Sequence, residues 1–259
     1  MIELRPERFP CVTHLLSGLR YYSPIAWSVV EGKQAGSILV DRSDDPSYAL
    51  IRGVNRYFYL VGRDGPFPEE TLASLDVRRP GFTICVEPIK WVQDLQNAIG
   101  YKANSVSVLN HKFPDEWQKA DQSDLSAPPH CRIERIDTEL FDRIGKEFTQ
   151  VMAVLWARKE EFLANGLGYC LLEDDTITSI CFTGFVGGNG CDITVITDPD
   201  FRRRGYAKLV SAALVEEAFE VDLNPQWHTT ADNTASLAIA TALGFQCTGE
   251  YSIVEVSRG

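Results

Sequence analysis

Residues 197–208 read TDPDFRRRGYAK, and the spacing of their side chains bears on phosphate chemistry. Arg202-x-x-Gly205-x-Ala207 stands where an apolar stripe of helical period begins, so the segment reads as a loop opening a helix. The first turn of a helix has backbone amides without intrahelical acceptors and carries the positive end of the helix dipole. Small residues there let an anion approach the backbone closely. Gly205 and Ala207 provide that access, with Tyr206 between them, and Arg202, Arg203, Arg204 and Lys208 add positive charge. The spacing is neither G-x-x-x-x-G-K nor G-x-G-x-x-G, so this is not a Walker loop or a dinucleotide fingerprint. On this segment alone two readings stand together: a polyphosphate cradle, and a solvated basic turn that caps a helix.

The basic loop is unusual for this chain. Its 259 residues carry a net charge of -11, which opposes sequence-independent attraction to nucleic acid or anionic lipid. Residues 1–130 account for -2 of that charge and residues 131–259 for -9, so the cationic cluster lies in the more acidic half. Seven cysteines without a C-x-x-C pair indicate neither a disulfide framework nor a zinc knuckle. His14, His111 and His130 have no ligand spacing, and no metal is expected. The N-terminal residues lack the apolar stretch of a secretory signal, and nowhere do 18 apolar residues run together. A soluble, reducing, cytoplasmic setting is the default expectation.

The elements that must position the loop are legible from pattern. In the first half, residues 9–20 and 24–30 read as helices, and 37–40, 48–52 and 57–61 as strands in a meander. A helix start at 68–75, a strand at 82–86, a helix at 89–99 and a strand at 105–109 follow. Residues 119–130, KADQSDLSAPPH, are polar and proline-bearing and read as a linker between domains 1–118 and 131–259. The second half has a strand at 132–136 and one long helix over 138–155. A hairpin then turns at Asp174-Asp175, with strands at 169–173 and 177–184, and further strands fall at 191–197, 226–230 and 248–256. Helices fill 203–219 and 233–243. Gly187, Gly188 and Gly190 read as a turn. Strands alternating with helices predict an α/β (α+β) fold with a mixed sheet.

About 30 residues beyond the basic loop a second pattern appears: Asn233-x-x-Ser236, then Leu243-Gly244-Phe245, after a strand holding Trp227. With both patterns in place, the region from about 132 to 256 resembles the GNAT superfamily of acetyl-CoA-dependent N-acetyltransferases. A looser likeness, at GSILVDRSDDPSYAL (36–50) and NGLGYCLLEDDTITSICF (165–182), extends to the GNAT group that includes zwittermicin A resistance proteins.

The resemblance implies acetyl-CoA as cosubstrate. It assigns the backbone of Val195, Ile196 and Thr197 to the pantetheine arm and the amides from Arg203 to Lys208 to the pyrophosphate. Arg202 takes the motif's first position, and Asn233 and Ser236 lie along the bound cosubstrate. It also implies that the strands on either side of the cosubstrate splay at a bulge. Many relatives place an acid tyrosine seven residues after the Asn; here that position is Ala240, so either the thiolate leaves unprotonated or another group, such as Tyr251, serves as the acid. Asp192 falls close to where several relatives hold a catalytic Glu. His228, on the next strand, has the intrinsic pKa of a base. Each has a plain alternative: a strand tyrosine, an acid turned to the other face by a one-residue register shift, and a wall histidine.

The order of elements in the first half mimics the second, as a degenerate GNAT-like copy would, but residues 58–75 show no R-x-x-G-x-G. Its expected role is to pack against the second half and wall the acceptor site. The expected activity is acetyl transfer from acetyl-CoA to a small amine in a ternary complex, the acidic second half favouring a cationic acceptor. Protein or peptide N-acetylation, and CoA binding without turnover, are the alternatives.

Overall fold

The computed structural model describes residues 1–19, 21, 23–75, 81–100, 102–114 and 126–257. Residues 119–125 of the expected linker lie outside the described residues.

Among the described residues, twelve strands form one mixed sheet. In chain order they are β1 (Ile2–Glu3), β2 (Ser37–Val40), β3 (Tyr48–Arg52), β4 (Tyr57–Gly62), β5 (Phe82–Glu87), β6 (Ala103–Lys112), β7 (Cys131–Arg135), β8 (Gly168–Glu173), β9 (Thr176–Gly187), β10 (Gly190–Thr197), β11 (Asn224–Thr229) and β12 (Gln246–Val256). The helices are α1 (Thr13–Leu16), α2 (Ser23–Val30), α3 (Thr71–Ser74), α4 (Trp91–Ile99), α5 (Thr138–Arg143), α6 (Val151–Leu155), α7 (Lys159–Asn165), α8 (Tyr206–Glu220) and α9 (Thr234–Ala242). The expected α/β architecture with a mixed sheet is present.

The spatial order is β1-β2-β3-β4-β5-β12-β6-β11-β10-β9-β8-β7. Matching β1–β6 to β7–β12 makes the order the same from either end. Among the described residues only β4 with β5 and β10 with β11 run parallel, and the other neighbours are antiparallel. Each half places its last strand in the other half's sheet: β12 lies beside β5, and β6 beside β11. At the centre β6 and β12 pair from Ala103 with Val256 to Lys112 with Gln246. Two stretches that read alike along the chain thus share one continuous sheet, because the exchanged strands satisfy each other's backbone groups.

Two helical expectations need correction. The long helix over 138–155 is broken: α5 passes into a wide π-type turn at Ile144–Phe148, Thr149 is extended at φ -157°, and α6 then starts. Gly145 weakens the helix at this point, and the Thr149 hydroxyl accepts from the Val151 amide at 3.2 Å. The cap of α5 is Asp137, whose carboxylate accepts from the Leu140 amide at 2.9 Å. Over 9–20, a 3-10 segment containing Pro10 occupies Pro6–Val12 and leaves α1 only four residues, since Pro10 lacks the amide an α-helix needs.

The halves also interlock through side chains. Buried Gln34 donates from Nε2 to the carbonyls of Leu155 and Gly184, both at 3.0 Å. Gly187 and Gly188 let α2 approach β9, for a Cβ on Gly188 would fall 2.6 Å from the Trp27 ring.

Candidate active site

Strand β10 has two different neighbours. It pairs with β9 along most of its length, with a register shift between Cys191 and Ile193. With β11 it pairs only from Gly190 to Asp192. Beyond Asp192 the two parallel strands part, so the β10 backbone through Val195, Ile196 and Thr197 borders a gap on its β11 side. A bulge at this position is what turns the strand away. The corresponding strands of the first half, β4 and β5, stay paired from Tyr57 to Val61. The second half therefore has an open slot where the first half has a closed one.

The gap continues into a cleft of about 680 Å³, lined by Val195, Ile196, Thr197, Arg202, Arg203, Gly205, Tyr206, Ala207, Lys208, Asn233 and Ser236. Helix α8 opens on it. Arg203 at φ 63° and Gly205 at φ 82° are left-handed, which is why the helix starts at Tyr206 and not at Arg203. A Cβ on Gly205 would meet nothing within 4 Å, so the backbone conformation rather than crowding calls for glycine.

Arg204 departs from the other predicted phosphate ligands. Its guanidinium donates to both Glu173 carboxylate oxygens at 3.1 and 3.2 Å and lies 4.8 Å from the Phe201 ring centre. The Tyr206 hydroxyl donates to the same carboxylate at 2.5 Å, and that bond pushes the Tyr206 pKa up to about 12. Glu173 thereby anchors the loop to β8. Asn233 and Ser236 also have structural work: the Asn233 side chain accepts from the Ser236 amide at 3.2 Å to cap α9, and the Ser236 hydroxyl accepts from Trp227 Nε1 at 2.9 Å.

Asp192 sits where β10 and β11 part, and it is buried. A Cβ on Gly184 would lie 3.0 Å from its Oδ2 and from Thr194 Oγ1, so the glycine provides room for the carboxyl. Burial pushes the Asp192 pKa up to about 8. His228 is half-buried, and loss of solvent around its ring, with smaller contributions from Lys112 and His111, brings its pKa down to about 3. Such an imidazole is neutral at physiological pH and a weak base. Its Nδ1 shares a hydrogen bond of 3.0 Å with the Tyr251 hydroxyl, which burial keeps protonated well above its ordinary range. Ala240 is fully buried.

The first half contributes residues that pattern did not single out. Tyr21 stacks on Tyr251 with ring centres 5.2 Å apart. The Tyr59 hydroxyl reaches the Tyr21 carbonyl at 3.0 Å and the Glu87 carboxylate at 3.3 Å. Their spacing along the chain carries no signal, because strand exchange is what brings β12 beside them. Among the described residues no group of three or more His, Cys, Asp and Glu side chains is placed to hold a metal ion, and no helix is long and apolar enough to cross a membrane.

Residues 14–254 match the family model described as GNAT acetyltransferase. The chain is 25% identical over 244 residues to an uncharacterised N-acetyltransferase, YdfB, of Bacillus subtilis (strain 168), covering 90% of each chain. A GCN5-related N-acetyltransferase-like protein from Streptococcus suis 89/1591 has a similar structure, with a TM-score of 0.80 over 97% of this chain and 99% of its own at 22% identity. A tandem GNAT protein from the clavulanic acid biosynthesis pathway matches 100% of this chain and 98% of its own, with a TM-score of 0.65 and 13% identity.

Proposed function

The chain belongs to the GNAT acetyltransferase family, whose enzymes use acetyl-CoA as cosubstrate, and from that premise we propose that it acetylates a primary amine of a small molecule by direct attack in a ternary complex. The observation that carries this reading is the parting of β10 and β11 beyond Asp192, beside a cleft that runs along Val195, Ile196 and Thr197 to the cationic loop.

The residues of the cleft fit the cosubstrate. The free edge of β10 at Val195, Ile196 and Thr197 offers backbone groups to the pantetheine amides as an added strand would. The backbone amides from Arg203 to Lys208, in the loop and first turn of α8, would hold the pyrophosphate, with the charges of Arg202, Arg203 and Lys208 beside them. Arg204 holds the loop in shape through Glu173. Asn233 and Ser236 set the start of α9 at the cleft wall. When bound, acetyl-CoA supplies an activated acyl carbon.

An amine is mostly protonated at neutral pH and must lose a proton before its nitrogen attacks. Asp192, whose pKa burial pushes up to about 8, is the proposed acceptor of that proton. As the carbonyl carbon becomes tetrahedral, negative charge on its oxygen is met by the backbone amides of β10 past the bulge. Tyr251 donates to the departing sulfur, and His228 positions the tyrosine through Nδ1. A small acceptor agrees with the looser likeness at 36–50 and 165–182 to the group that includes zwittermicin A resistance proteins. A reducing, cytoplasmic setting suits seven free cysteines.

The test is acetyl-CoA-dependent thiol release with product mass, run over polyamines, aminoglycosides, amino acids and peptides. Turnover of small amines without peptide acetylation is expected. Acetylation confined to peptides would contradict the small-molecule acceptor.

A further inference from the structure

Opposite Asp192 the ladder between β9 and β10 breaks on the β9 side. Val186 pairs with Cys191 and Thr183 with Ile193, so Gly184 and Phe185 together face the single residue Asp192. On its other edge β9 pairs with β8 only as far as Phe182. The bulge therefore leaves the buried Gly184 carbonyl outside both ladders, where it needs a donor. That donor comes from the other half of the chain. The Gln34 side-chain amide reaches the Gly184 carbonyl and, with its second hydrogen, the Leu155 carbonyl at the end of α6, both at 3.0 Å. We infer that Gln34 is a positioning residue for acetyl transfer, which props the β9 bulge from the first half and holds it closed against the Asp192 carboxyl. The inference rests on the acetyl-transfer reading, in which Asp192 accepts a proton, and adds the residue that sets the surroundings of that carboxyl.

The two residues whose carbonyls Gln34 holds are also the ones that close on the carboxyl. From a Cβ position on Gly184, Asp192 Oδ2 and Thr194 Oγ1 lie 3.0 Å away and Leu155 Cδ1 3.5 Å. Gln34 is 3% exposed, and its Oε1 has no hydrogen-bond partner among the described residues. An apolar side chain would fill such a place without an unmet acceptor, so packing alone does not account for an amide there. Turning the amide over would set its oxygen against two carbonyl oxygens, which fixes the donor side. The turn that carries Gln34 is tied at both ends. The amides of Lys33 and Gln34 donate to the Ser28 carbonyl at 2.9 and 3.1 Å, and Asn165 Nδ2 donates to the Lys33 carbonyl at 3.3 Å.

Burial is what raises the Asp192 pKa to about 8. The titratable groups that feel its charge are Tyr57 on β4, Cys85 on β5, Cys181 on β9, Cys191 on β10 and Tyr251 on β12. Burial raises the pKa of each of these as well, so they are neutral at physiological pH and the carboxyl responds chiefly to solvent access. Without Gln34 the two carbonyls must take water or the bulge must shift, and either change admits solvent to Asp192.

Carbon-13 NMR of the aspartate carboxyls in the full chain, with Asp192 assigned through Asp192→Asn, tests this. In Gln34→Met, which keeps the length of the side chain and removes the amide, the Asp192 titration is expected to fall from about 8 by at least about one pH unit. The alkaline rise in kcat should move down with it while the KM for acetyl-CoA holds. Asn165→Ala, which removes another tie to the same turn, is expected to leave the titration at the parent value. If Gln34→Met does not fold, Gln34→Asn, which keeps an amide one methylene short of the carbonyls, carries the same expectation. A titration unchanged in the folded Gln34 variant, or moved equally by Asn165→Ala, overturns the assignment. The titration needs neither acetyl-CoA nor acceptor. A chain that transfers no acetyl group therefore loses the acetyl-transfer reading, while the NMR still decides whether Gln34 sets the carboxyl.

Discussion

The Tyr251 hydroxyl lies 3.0 Å from Nδ1 of His228, a bond that spans β6 and joins the last strand of the chain to the strand bordering the cosubstrate cleft. It couples a phenol that stays protonated to an imidazole that stays neutral. In the proposed mechanism the tyrosine is the acid and the histidine its positioning partner.

Tyr251→Phe is therefore expected to lower kcat by about 10²-fold with little change in the KM for acetyl-CoA, in the range for loss of a general acid. The deficit should shrink with an acetyl thioester of a more acidic thiol, whose sulfur needs no proton to leave. A deficit independent of the leaving thiol would assign Tyr251 to packing.

The basic loop divides its arginines. Arg203→Ala should raise the KM for acetyl-CoA roughly tenfold through loss of a phosphate contact. Arg204→Ala acts on the loop itself by releasing Glu173 and Tyr206, so its effect should be matched by Glu173→Gln and should not add to it in the double variant. Additive effects would place Arg204 on the phosphates.

Asp192 predicts opposite pH trends in activity and stability. Activity should rise through a pKa near 8 as the carboxyl ionises. Stability should fall over the same direction of change: the folded protein binds a proton at Asp192 that the unfolded chain has released, so the contribution is complete below about pH 4 and is lost as pH rises towards 8. His228 acts in the other direction on acidification, because its lowered pKa makes stability fall as pH drops below about 6.5 towards 3. Denaturation followed across pH should show Asp192→Asn flattening the alkaline side and leaving the acid side.

Strand exchange makes the two halves mutually dependent. Residues 1–118 without β11 and β12, or 131–259 without β5 and β6, would each expose three strand edges that are paired in the whole chain. Expressed singly, each half should be insoluble or unfolded by circular dichroism, and co-expression should recover a soluble complex. An independently folded half would contradict the exchange.

Much of this was legible in the sequence. Strands β2 and β3 fall at the residues expected, since short apolar runs bounded by Asp, Pro, Gly and Asn have little freedom in their ends. The cleft's lining followed from Arg202-x-x-Gly205-x-Ala207 and Asn233-x-x-Ser236, local patterns whose geometry is set within a few residues. The exchange of β6 and β12 was not legible, because an alternating strand does not name its neighbour. The stack of Tyr21 on Tyr251 depends on that exchange and stayed hidden with it. The role of Glu173 was missed for a similar reason: its partners Arg204 and Tyr206 lie 31 and 33 residues away.

Gly205→Glu tests most directly whether the cleft between β10 and α8 holds acetyl-CoA. The substitution puts a carboxylate at the mouth of α8 and forces a non-glycine residue to φ 82°, at about 1 kcal/mol of backbone strain that Gly205→Ala measures separately. Calorimetry should show acetyl-CoA bound by the parent chain and by Gly205→Ala, with affinity reduced at least about 100-fold in Gly205→Glu. Unchanged affinity in a folded Gly205→Glu protein would contradict the assignment.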